Sequence, residues 1–169
     1  MMNMNLSRAI IAGLAGCVVV LLVTWIAGYV LDADTDLAAL SAATLFARSD
    51  GVAWLAGLIV QVLVGVIAAI VYAAIFEWVT RRAGLVIGLA IAVPHAVVAG
   101  LAVGFLPGER LIAAGIMPPG AFYEYRGAWC MAAFVVAHLL FGCIVGTVYG
   151  RTLHRMPHES AQWTEVVRA

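Results

Sequence analysis

Residues 84–106 read GLVIGLAIAVPHAVVAGLAVGFL, 23 residues without a formal charge and with His95 at the centre. About 20 apolar residues rising 1.5 Å each cross the hydrocarbon of a bilayer, so the stretch predicts a membrane-spanning helix. Small residues recur at every fourth position: Gly84, Gly88, Ala92, Ala96, Gly100 and Gly104. In lipid, close packing of small residues largely takes the place of the hydrophobic drive for helix association. A four-residue step drifts by about 40° on a 3.6-residue helix. The ladder therefore either crosses one neighbour right-handedly or presents small faces to two neighbours. It packs inside its own bundle or faces outward to dock a partner.

The rest of the chain fits the same solvent. Of 169 residues, 65% are hydrophobic and only 11% charged. A soluble domain carries about 25% charged residues. The formal net charge is zero, so nothing basic points to nucleic acid. Apolar blocks cover Ala9–Leu31, Val52–Thr80, Gly84–Leu106 and Ala128–Gly150, with a polar tail over residues 151–169. The expectation is one all-α domain, an integral membrane four-helix bundle with antiparallel up-down spans. Leu14-Ala15-Gly16-Cys17 has the look of a lipobox, but the apolar run continues through Val18–Val23, so the segment reads as a retained span.

Between spans one and two, Asp32, Asp34 and Asp36 suggest a calcium loop. An EF-hand needs Gly at its sixth position and Glu at its twelfth. Leu37 and Ala43 stand there. Asp36 reads instead as the cap of a short helix, Leu37–Arg48, with Leu37, Leu40 and Phe46 resting on the membrane surface. Span two is longer than the hydrocarbon and should tilt or project. Arg81 and Arg82 end it, and the very short turn that follows predicts spans two and three as antiparallel neighbours. Pro107–Gly127, holding Pro107, Pro118 and Pro119 with Phe122, Tyr123 and Tyr125, reads as an irregular segment on the bundle mouth. Gly142, Gly146 and Gly150 form a second four-spaced ladder in span four.

Arginines near the span ends set the orientation. Arg8, Arg81, Arg82, Arg151 and Arg155 fall on one side; Arg48, Arg110 and Arg126 fall on the other. Both termini are expected in the cytoplasm. Trp25, Trp54 and Trp129 sit near the outer ends and Trp78 near the inner end, as interface belts require.

His95 lies at the middle of its span and His138 near the middle of span four, so both imidazoles are expected at mid-membrane on antiparallel helices. Polar groups at that depth are costly and turn inward to a partner. Pro94 has no N–H for the carbonyl of Ala90, which adds a kink and a free acceptor. Two facing histidines suit three chemistries: ligating a b-type haem, sharing a metal ion, or relaying protons. Haem propionates want Arg or Lys nearby, and none lies at that depth. Two nitrogens without an acid or thiolate are too few for a metal. The structural alternative is that each ring bonds a backbone carbonyl or Thr24, Gln61 or Tyr72 and ties helices together. Cys17, Cys130 and Cys143 form no CxxC pair and read as small buried hydrophobes. His154 and His158 have i, i+4 spacing, but Pro157 lies between them and favours solvated residues. No catalytic triad, phosphate-binding glycine loop or paired carboxylate occurs.

With Pro94-His95 in span three and His138-x3-Gly142-x3-Gly146 in span four, the layout resembles small bacterial four-span membrane proteins of uncharacterised function. The resemblance implies a multi-pass protein of a bacterial inner membrane and no activity. The function expected is a non-enzymatic accessory or assembly subunit that packs against other membrane helices or itself. The alternative is a redox or haem-binding subunit using His95 and His138. A third is a small transporter or channel with Gln61, Thr24 and the histidines along a path, weakened by the lack of buried acids.

Overall fold

The computed structural model describes residues 4–33 and 35–150. Asp34, His154, His158 and the polar tail lie outside the described residues. The elements are α1 (Leu6–Leu31), α2 (Leu37–Phe46), α3 (Gly51–Ala74, continued by a π-helical turn Ile75–Thr80), α4 (Leu85–Gly104), α5 (Gly108–Ala113), a 3-10 turn (Ala121–Arg126) and α6 (Ala128–Gly150). No strand occurs among the described residues. Four helices are long and apolar enough to cross a membrane, which marks a multi-pass membrane protein.

Polar caps set where the helices begin. Asn5 Oδ1 accepts from the Arg8 N–H at 3.1 Å, Asp36 Oδ1 from Ala38 and Ala39 at 2.8 and 3.0 Å, and Asp50 Oδ1 from Ala53 at 3.2 Å. Each satisfies an N–H that the helix itself leaves without a partner. The Ala53 N–H, with Arg48 beside it, holds the Asp50 carboxyl below the usual carboxylate range. α2 ends at Phe46 rather than Arg48, because Ala47 turns into the left-handed region (φ 52°).

Small residues then decide which helices touch. A Cβ on Gly142 would lie 2.5 Å from the Gly88 carbonyl oxygen and 2.5 Å from the Ala92 Cβ. One on Gly146 would lie 2.9 Å from the Gly88 Cα, and one on Gly150 would lie 3.0 Å from the Gly84 nitrogen. Partner numbers fall on α4 as they rise on α6, so these helices pack antiparallel, backbone against backbone. α1 meets α3 likewise: a Cβ on Gly13 would stand 2.9 Å from the Val66 Cα. α1 meets α6 where the Phe141 ring lies over Gly16. The packing order is therefore α3–α1–α6–α4.

This corrects one expectation and decides between two alternatives. Spans two and three are joined by a short turn, yet α3 and α4 share no backbone seam; each has its close partner elsewhere. The two ladders also do not face outward. Gly84, Gly88 and Ala92 meet Gly142, Gly146 and Gly150, whereas Gly100 lies under the Phe122 ring and a Cβ on Gly104 would lie 3.1 Å from Ala121. Ala96 is buried. One ladder thus serves two internal neighbours, as its 40° drift allows.

The length of span two also has a cause. α3 and its π-helical turn together hold 30 residues, about 45 Å at 1.5 Å each, against about 30 Å of hydrocarbon. Its first turns pair with α2. Gly57 lies against the Ala38 carbonyl, and the Gln61 amide donates to the Leu37 carbonyl at 3.3 Å and to Ser41 Oγ at 2.7 Å. The chain turns back after α1 so that the Thr35 hydroxyl donates to the Thr24 carbonyl at 2.6 Å. α2 is accordingly a hairpin partner of α3, not a helix lying flat on the membrane surface. Leu40 is buried with Leu111, Ile116, Tyr123 and Phe134.

The 107–127 segment supplies most of that cap. Residues 117–120 are non-helical as the prolines require, but α5 and the 3-10 turn flank them. Phe122 and Tyr123 both have positive φ (52° and 65°), a conformation that side chains of this size rarely adopt. The rings are held by α4 and α6: Phe122 sits over Gly100, and Tyr123 lies 5.5 Å from the Phe134 ring.

A branched side chain in the α4–α6 seam should therefore part the two helices. Gly88→Val is expected to cost about 2–3 kcal/mol and to lower the unfolding temperature in mild detergent. Gly51→Ala, with open space around it, should not lower it.

Candidate functional site at mid-helix

The α4–α6 seam places His95 and His138 at the same level, with ring centroids 5.1 Å apart and planes at 73°. His138 Nδ1 lies 2.8 Å from the Phe134 carbonyl oxygen. A carbonyl only accepts, so Nδ1 carries the proton and Nε2 keeps a lone pair. His95 Nδ1 lies 3.2 Å from the Tyr72 hydroxyl on α3. Tyr72 is only 2% exposed. This bond joins α3 to α4 through side chains where their backbones stand apart. Phe141 closes the group, 5.8 Å from Tyr72 and 5.7 Å from His95.

Beside this group lies a cleft of about 330 Å³ between α3 and α4, lined by Ala68, Val71, Tyr72, Ile75, Ile91, Pro94, His95 and Val98. Its rim is exposed at Val71 and Val98. α4 runs through Pro94 without a break.

Thr24 and Gln61 do not join the histidines. The Thr24 hydroxyl donates to carbonyls of its own helix, and Gln61 is engaged with α2. Cys17 and Cys130 are buried, and no disulfide occurs among the described residues. The Cys17 Sγ approaches the Gln61 and Val62 carbonyls at 3.9 and 3.8 Å, deep in the α1–α3 seam.

The sequence reading missed Glu77. It sits in the π-helical turn, 8% exposed, and its Oε1 accepts from the Tyr149 hydroxyl at 2.8 Å. The Asn5 backbone N–H donates to the same hydroxyl at 3.2 Å. Glu77 is a buried acid, so the lack of buried acids does not count against a transporter. The signal was present: Glu77 is the one acid inside a 29-residue apolar block. π-turns recur at functional positions because the wider turn re-aims a side chain. Between Glu77 and the histidines lies Phe76, stacked on Tyr149 at 5.8 Å and edge-on to Tyr72 at 6.1 Å. A hydrocarbon ring thus separates two polar groups rather than linking them.

The residues do not fit a b-type haem between His95 and His138. Their rings touch each other, and a macrocycle would have to part α4 from α6 where Gly88 meets Gly142. No group of three or more His, Cys, Asp or Glu side chains placed to hold a metal ion occurs among the described residues.

Membranes carrying the overexpressed protein are expected to show no Soret band above background. A band lost in both His95→Ala and His138→Ala would overturn the packing argument. At the π-helical turn, Tyr149→Phe removes the hydroxyl that Glu77 accepts from and should cost about 1–3 kcal/mol. Glu77→Gln keeps an acceptor oxygen and should cost less. Thermal unfolding in detergent compares the two, and equal losses would contradict the assignment. Compared with known proteins, the chain matches no protein family, no curated protein and no solved structure.

Proposed function

We propose that the chain is a non-enzymatic accessory subunit of a bacterial inner-membrane complex, or of a homo-oligomer, built as an antiparallel up-down four-helix bundle with both termini in the cytoplasm. The observation that carries this reading is the open side of α3. Its backbone packs on α1 and α2, while Leu55, Ile59, Leu63, Ile67 and Val71 form an exposed apolar stripe at four-residue spacing. A stripe of that length suits another membrane helix as well as lipid. The glycine ladders no longer support docking, since both are used internally. Orientation rests on the arginines: Arg81 and Arg82 lie at the end where Gly150 meets Gly84, and Arg110 and Arg126 lie at the other, bonded to carbonyls of Leu45 and Met117.

Native mass spectrometry in mild detergent tests the reading. A stable oligomer or a stoichiometric complex is expected, and Ile59→Arg with Ile67→Arg should reduce it to monomer. A lone monomer that copurifies with nothing would remove the proposal. Labelling of single introduced cysteines in a background without Cys17, Cys130 and Cys143 tests orientation: a cysteine at Arg82 should be shielded from a membrane-impermeant reagent in intact cells, and one at Arg110 should react.

A further inference from the structure

The donor count at the Tyr72–His95 pair points to a ligand. A neutral histidine carries one N–H and one lone pair, and tyrosine carries one O–H. The pair therefore owns two protons to donate, and its single internal bond uses one. If Tyr72 donates to His95 Nδ1, the His95 Nε2–H is left over. If His95 Nδ1 donates, the Tyr72 O–H is left over. Either way one donor is not used within the pair and stands beside an apolar cleft, in a medium without water to take it.

We propose that the α3–α4 cleft binds a lipid-soluble molecule whose head carries a carbonyl oxygen, the class to which isoprenoid quinones belong, with the Tyr72–His95 pair donating to that oxygen. The cleft has the size of small-ligand pockets, which begin near 300 Å³ and combine apolar walls with a few placed polar groups. The walls here are Ala68, Val71, Ile75, Ile91 and Val98, which suit a ring or tail and offer no charge to an ionic head. The exposed rim at Val71 and Val98 opens the cleft sideways, so a ligand enters from the bilayer without crossing water. The lining residues cover about two turns of each helix, roughly 10 Å. A partner helix would follow the whole span of about 30 Å. His138 Nε2 is the internal competitor for the His95 proton, and it can take that proton only in one of the two tautomers. The inference is independent of the accessory-subunit reading, because occupancy of the cleft and oligomeric state are read by different measurements.

The test uses the full chain in phosphatidylcholine nanodiscs and an arylazido ubiquinone analogue with a ten-carbon tail, crosslinked by light and mapped by mass spectrometry. Saturable labelling is expected, concentrated on residues 68–75 and 91–98. Tyr72→Phe or His95→Leu alone leaves one donor, so each should raise the half-saturating concentration less than the pair does. The double variant removes both and should raise it by about tenfold. Ala68→Phe fills the cleft without touching the polar pair and should abolish saturable labelling, with Val98→Phe as a second block if the first fails to fold. Labelling that never saturates, spreads evenly over the lipid-facing helices, or persists unchanged in the folded blocking variant would overturn the proposal. So would labelling unaffected by the double variant, since the pair would then not be the donor.

Discussion

The contact on which the rest of this structure depends is the meeting of two peptide backbones at Gly88 and Gly142. Helices in lipid gain nothing by hiding leucine from hydrocarbon, so they must gain by coming closer than lipid can. Without Cβ atoms at 88, 142 and 146, α4 and α6 reach that distance between Gly84–Ala92 and Gly142–Gly150. Everything polar near the middle follows from this seam. His95 and His138 stand one turn beyond it, level with each other because their helices are already in register.

Around that seam the chain builds two cores with different chemistry. The one at the Tyr149 end is aromatic and alanine-rich: Ala9, Ala12, Ala69, Tyr72, Phe76, Phe141 and Tyr149. The other joins α2, α5, the 3-10 turn and α6 through Leu40, Leu111, Tyr123 and Phe134. The histidines occupy the waist between them. Phe141 of one core lies 5.7 Å from His95 and Phe134 of the other 4.2 Å from His138, so rings from both cores shield the pair. Phe134 contributes twice, its carbonyl to His138 Nδ1 and its ring to Tyr123.

The same logic places the opening. α3 is bound on one side by α1 and over its first turns by α2, and the hydrogen bond that links it to α4 is the one between Tyr72 and His95. A seam made of one hydrogen bond and two β-branched walls leaves space that a glycine seam would have closed. The cleft is thus the counterpart of the ladder: the ladder spends its small residues on α6 and on the Phe122 turn, and none remains to draw α3 in.

The sequence by itself determined four spans and most of their limits, because a hydrocarbon slab imposes one length and one polarity on any helix that crosses it. It also placed Asp36 as a cap and set both histidines at mid-span, since position within a span translates directly into depth. What it did not contain was direction around the helix axis. Only the tertiary structure decided that the Gly84–Gly104 ladder turns inward to two neighbours, that Thr24 and Gln61 point away from the histidines, and that Glu77 is drawn under Tyr149. Those outcomes depend on which helices become neighbours. Short connections suggested α3 with α4, but close backbone packing chose α4 with α6 and α3 with α1, since those pairs bring small residues face to face.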